Sequence, residues 1–226
     1  MTFQKANSWI ELLPQLDSIK SKCNGILDIL GVTEDDARAQ GMIHIRQLCN
    51  TIALIPIKLQ QNVQERPRNI HPILIILGLR STKDLQNVLT DLNSNSKASF
   101  ITMVQFAIEN CIVQVIEAMG TTLPKGKFSK DTELVLQLFN IPDPERKRDL
   151  LMVPAMIRNS LHNNGIHKWS SQTVTVDGED YVFEKDNRIN CGSWSHIFHA
   201  VKSNLNIYEE ILTSERIRAI RHIPAK

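Results

Sequence analysis

Charge of one sign is what this sequence lacks most plainly: 26 lysines and arginines against 24 aspartates and glutamates leave a formal net charge of +2 over 226 residues. That balance excludes a protein that coats nucleic acid with a generally basic surface, so any contact with RNA or DNA must be a local patch. Long apolar runs are missing too. None reaches the roughly 18 residues that a membrane-spanning helix needs, and no membrane partner is expected. The opening MTFQKANSWIELL lacks a charged segment followed by a long apolar core and a small-residue cleavage site, so no secretory leader is expected and the cytoplasm is the expected location. The four cysteines, Cys23, Cys49, Cys111 and Cys191, form no C-x-x-C pair. They read as buried free thiols in a reducing compartment rather than a zinc site or a disulfide framework, and no metal or cofactor is expected. Internal repeats and low-complexity segments are also missing.

What is present is 42% hydrophobic residues, enough for the core of one large domain or two small ones. Residues 8–30 space their apolar positions at three and four, which predicts an amphipathic helix with Ser8 as N-cap and a break near Asn24 and Gly25. Thr33 with Asp36 three residues on is a capping signal for a second helix reaching about Val63, kinked or broken at Pro56. Residues 64–72, QERPRNIHP, read as a loop, and the following ILIILGL as either a buried strand or a turn of core helix. A helix over STKDLQNVLTDL, a polar break at NSNS and a long central helix ending at Gly120 come next. TTLPKGK is a loop and KDTELVLQLFNI a shorter helix. Another helix starts at Pro144 with Asp143 as N-cap. Alternation around Asp177-Gly178 predicts a β-hairpin at about 172–185, and a last long helix covers 193–212. The expected fold is all-α, a helical bundle with one β-hairpin inserted between its last two long helices. Residues 1–95 form an N-terminal helical region and 96–226 a second domain carrying the hairpin, unless the two are one continuous domain.

The stretch that carries chemistry is RNSLHNNG. On a helix Arg158 and His162 lie one turn apart on one face, next to an apolar row, and Asn163, Asn164 and Gly165 read as a C-terminal stop. Guanidinium can hold two phosphate oxygens, and imidazole can both take and give a proton near neutral pH. Those are the two functions a metal-free ribonuclease requires. The alternative is structural, a helix cap or a polar pair satisfied by the next loop. Two basic clusters are candidate RNA contacts or else solvated faces: Lys125, Lys127 and Lys130, and the tail arginines Arg216, Arg218 and Arg221. Arg66 and His71 each stand directly before a proline, Pro67 and Pro72, in a segment read as loop. His196 and His199 have a spacing that can hold a metal but show no third ligand nearby, and read as packing residues. Trp169 and Trp194 flank the hairpin, either stacking on an unpaired base or packing the hairpin to the bundle.

RNSLHNNG, at the end of a helix late in a helical chain, resembles the signature of the HEPN superfamily (higher eukaryotes and prokaryotes nucleotide-binding domains). There an Arg followed by a polar residue is separated from a His by four to six intervening residues. The resemblance covers about residues 96–213. It implies a helical bundle, often dimeric, and in many members a metal-independent endoribonuclease of toxin-antitoxin, abortive-infection or other antiviral systems. Carried over, Arg158 matches the arginine, Asn159 the polar residue and His162 the histidine, with two protomers bringing these groups into one cleft. Three residues separate Arg158 from His162 here, one fewer than the family pattern. Other members are non-catalytic modules that bind RNA, a nucleotide or a protein partner. The branch paired with nucleotidyltransferase antitoxins has a tyrosine two positions after the histidine, where this chain has Asn164. The expected partners are RNA, a second copy of the chain, and an antitoxin or other protein.

Overall fold

The structure is a computed structural model that describes residues 3, 5–6, 9–57, 63, 70–121 and 128–226. The described residues form an all-α bundle with one two-stranded hairpin. Helix α1 (Trp9–Leu30) buries Leu12, Leu16, Ile19, Cys23 and Ile26, and α2 (Ala37–Ile52) buries Met42, Ile45, Cys49 and Ile52. Both series step by three and four, the spacing that puts one stripe toward a core. α2 runs into a π-helical turn (Ala53–Ile57) that holds Pro56, as expected of a residue with no N–H to donate. The short α3 (Ile70–Leu77) precedes α4 (Thr82–Ala118), whose buried Phe100, Ile101, Val104, Ile108, Cys111 and Val115 make it the central helix. Then come α5 (Phe128–Leu138), α6 (Pro144–His162), strands β1 (Gln172–Val176) and β2 (Glu179–Phe183), α7 (Trp194–Leu212) and the single turn α8 (Glu215–Arg218).

α1 packs on α2 and α7, α2 lies along α4, and α6 is enclosed by α4, α5 and α7. Gly41 permits the close approach of α2 to α4, because a Cβ there would stand 3.1 Å from the Cys111 Cβ. One cluster of buried apolar residues runs from Leu12 to Ile223, and residue 96 lies inside α4. α4 also contains the one window among the described residues that is long and apolar enough to cross a membrane. A little over half of that window, 56%, is buried within the bundle, the pattern of a core helix.

Several boundaries differ from the sequence reading. α1 continues through Asn24 and Gly25, since Cys23 and Ile26 on either side hold the core stripe. α2 is capped by Asp36 itself, which accepts from the Arg38 N–H, while Thr33 donates to Asp35. The NSNS segment is helical because its polar groups are used: Asn93 accepts from the Trp194 indole at 2.7 Å, and Lys97 in the next turn donates to the Gly192 carbonyl at 3.0 Å. Residues Ile73 to Leu77 of ILIILGL belong to a helix, yet none of α3 is buried, so the run is neither strand nor core. His71 and Pro72 lie in the first turn of α3, where proline leaves no bond unmade; Ser8 and residues 58–62 and 64–69, Arg66 among them, fall outside the described residues. Asp143 precedes α6 in the left-handed region and makes no side-chain cap. The Asp177-Gly178 hairpin is as expected, both residues having positive φ and Val174, Val176, Tyr181 and Phe183 alternating inward.

The C-terminal tail is clamped to the start of α2. Arg38 donates to both carboxylate oxygens of Asp36 at 2.8 and 2.6 Å and to the carbonyls of Ile217 and Ile220. Asp36 also accepts from the Ile223 N–H. Burial works against the Asp36 carboxylate, but the hydrogen bonds from Arg38 and Ile223 outweigh it and hold the group below its usual range.

Candidate functional site at the end of α6

The last two turns of α6 carry Arg158, Asn159 and His162, and the next three residues end the helix. Asn164 and Gly165 have positive φ, Gly165 N–H bonds to the Ser160 carbonyl at 2.8 Å and Asn164 N–H to Leu161 at 3.2 Å. This Schellman closure is the helix stop read from the asparagines and glycine. It is fixed from outside by the base of the hairpin. Ile166 bridges Arg188, His167 exchanges backbone hydrogen bonds with Asn187 and Asp186, and Ile189 N–H bonds to the Gly165 carbonyl. The imidazole of His167, fully buried, sits between the Ser160 hydroxyl at 3.3 Å and the Ser170 carbonyl at 3.2 Å. It is a packing residue of this junction.

Arg158 is half-buried. Its Nε and Nη2 donate to the Asn159 Oδ1 at 3.1 and 2.9 Å, and its Nη1 to the Gln105 Oε1 of α4 at 3.4 Å. It forms no ion pair with a carboxylate among the described residues, its hydrogen bonds going to neutral amide oxygens, with the Glu109 carboxylate next in line through the Gln105 amide at 3.1 Å. The Asn159 carbonyl is held in turn by the Asn163 amide at 2.8 Å. His162 is exposed at the final helical position. The arrangement presents an amide-held guanidinium one turn from an accessible imidazole, residue types that can hold an anion and accept a proton.

Two residues here carried no sequence signal. Gln105 lies on another helix 53 residues away. Arg188 approaches only because the hairpin folds back: its Cγ lies 3.7 Å from where a Cβ on Gly165 would be, and its side chain is exposed.

The basic clusters are placed differently. Lys125 and Lys127 fall outside the described residues, as does the side chain of Lys130 in α5. Arg216, Arg218 and Arg221 are exposed at the other end of α6, where Arg216 donates to the Leu138 carbonyl and Lys147 pairs with Glu210. At 1.5 Å per residue, the stretch of α6 from Lys147 to Arg158 is about 16 Å long, so the tail stands at the far end of the helix from Arg158. His196 and His199 face the hairpin. His196 contacts the Ser193 hydroxyl at 2.6 Å and lies 3.9 Å from Glu179, while His199 contacts the Tyr181 hydroxyl at 3.0 Å and lies 3.6 Å from Asp177. Burial, with Lys5 and the other histidine, pushes His196 down to about 4. No group of three or more His, Cys, Asp or Glu among the described residues is arranged to hold a metal. Trp194 is in the core, whereas Trp169 is 47% exposed with its ring tilted against His167.

Fold and site together define a helical bundle whose hairpin braces a polar helix end. No protein-family model, curated protein or solved structure matches the chain.

Proposed function

We propose that the chain is a metal-independent endoribonuclease of the HEPN kind, acting in the cytoplasm as a toxin or antiviral-defence effector. The observation that carries this reading is Arg158: a half-buried guanidinium held by Asn159 and Gln105, without a carboxylate, one turn from exposed His162. A phosphate arriving here exchanges weak amide contacts for charge-assisted ones. His162 takes the proton from the ribose 2′-hydroxyl, whose oxygen attacks the adjacent phosphorus. Arg158 meets the charge gathering on the non-bridging oxygens, the bond to the 5′-oxygen breaks, and that oxygen leaves with a proton. In a homodimer the same histidine of a second protomer supplies that proton. The products are a 2′,3′-cyclic phosphate and a 5′-hydroxyl. An antitoxin or other protein partner would restrain such an activity.

The experiment is cleavage of RNA in EDTA by wild type, His162→Ala and Arg158→Ala, with analysis of the new ends. Cleavage leaving cyclic phosphates and lost in both variants supports the reading; a folded wild type that cuts no RNA sinks it. A second reading, a non-catalytic module that binds RNA, a nucleotide or a protein through this surface, is favoured by one feature. All three guanidinium nitrogens of Arg158 are already engaged by amide oxygens. Retained RNA binding without cleavage, weakened by Arg158→Ala, is the result it requires.

A further inference from the structure

Neither the bundle nor the α6 site uses α3. Ile70, Ile73 and Leu74 of this helix rest partly on a small satellite cluster of Val63, Leu85 and Leu89. Ile75 and Ile76 turn the other way and are 67% and 80% exposed, and Leu77, back on the side of Ile73 and Leu74 at the helix end, is still 51% exposed. Three consecutive helical residues sweep about 200° of the helix surface. The result is a convex apolar tip, ended at once by Gly78 with φ of 63°. Exposed apolar groups so concentrated mark a surface that something covers. Immediately beyond the tip stand Arg80 and Lys83, both exposed, and neither makes an ion pair among the described residues. The nearest acid in sequence, Asp84, is turned to the Ser81 hydroxyl at 2.9 Å in the cap of α4.

Charge decides among occupants. A second copy docked tip to tip about a two-fold axis would set Arg80 and Lys83 of each protomer toward those of the other, and α3 holds no acid to offset them. A folded protein partner would have to supply a close-fitting pocket for a blunt convex tip. A fluid bilayer needs no such fit, and the anionic headgroups of a cytoplasmic leaflet complement the two cations. We propose that α3 attaches the protein peripherally to an anionic membrane surface, Ile75, Ile76 and Leu77 entering the interface and Arg80 and Lys83 pairing with headgroup phosphates or carboxylates. This attachment does not depend on the ribonuclease reading.

The test is co-sedimentation of the full chain with vesicles of phosphatidylcholine containing phosphatidylserine, against phosphatidylcholine alone. Wild type is expected to bind the anionic vesicles, with Ile75→Glu combined with Ile76→Glu lowering the partition at least about tenfold. Arg80→Glu combined with Lys83→Glu is expected to lower it about tenfold or more, and added salt to do the same. All four positions are exposed, and circular dichroism verifies that the variants fold. The proposal is overturned by absence of binding to anionic vesicles or by binding that both variants retain. It is equally overturned by a wild-type dimer in ultracentrifugation that the isoleucine variant dissociates while vesicles bind neither.

Discussion

Arg38, at the start of α2, and Arg158, near the end of α6, both carry a guanidinium into the body of the protein, in opposite electrostatic settings. Arg38 is 2% exposed, bound bidentately by the Asp36 carboxylate and satisfied further by two carbonyls of the tail. Arg158 is half-buried and held by two side-chain amides. Neutralisation closes the first arginine to any ligand and makes it a staple between residue 36 and the C-terminal tail. The second keeps its charge available to an anion. Burial of an arginine therefore says little about its use until its partners are counted.

The largest effect expected from breaking this contrast is at Arg38. Arg38→Ala leaves the Asp36 carboxylate buried without its cation and should lower stability by about 3–5 kcal/mol, read as a shift in urea midpoint. Arg158→Ala should lower stability by under about 1 kcal/mol, since it removes only neutral hydrogen bonds from a partly solvated side chain. On the proposed chemistry it should cost cleavage about a hundredfold or more. If Arg158→Ala proved as destabilising as Arg38→Ala, the site at the end of α6 would be structural.

Acid should separate the two arginines without mutation. Hydrogen bonds lower the Asp36 pKa in the folded protein, so its contribution to stability is present above the unfolded aspartate value and is lost as pH falls through the folded one. Stability should start to fall below about pH 6.5, because burial holds the His196 pKa at about 4 while the unfolded imidazole takes up a proton, and Asp36 should add a further loss below about pH 4 that Asp36→Asn removes. A further loss unchanged by Asp36→Asn would mean that other carboxylates govern it.

The legibility of these parts from sequence follows from range. The α6 terminus was readable because a helix stop is local: Asn163, Asn164 and Gly165 specify it, and Arg158 and His162 fall on one face by spacing alone. The hairpin was readable from Asp177-Gly178 for the same reason. The supposed break at NSNS was misread because the partners of Asn93 and Lys97 are Trp194 and Gly192, about a hundred residues away. α3 was misread in the other direction. Six apolar residues in eight say nothing of what covers them, and hydrophobicity alone suggested a core position that the fold does not provide. The clamp of Asp36, Arg38 and the tail was missed altogether, since two neighbouring charges at a helix start look like solvated surface until the tail is laid across them.

The smallest effect expected, and the one that most sharpens the contrast, concerns Arg188. It reaches the end of α6 through the hairpin, stands beside Gly165 and is exposed, so on the proposed chemistry it would meet a backbone phosphate near the one that Arg158 would hold. A positioning cation of this kind adds affinity without touching the reacting atoms. Arg188→Ala should weaken RNA binding by only about three- to tenfold and reduce the salt dependence by about 0.7 in slope, the share of one single-strand phosphate contact. The maximal cleavage rate should stay near that of wild type. The tail arginines, at the opposite end of α6, serve as the internal control. If Arg218→Ala changed the slope as much as Arg188→Ala, RNA would have to span the whole length of α6 or reach the tail of a second protomer, and the local charge at the α6 terminus would no longer account for recognition.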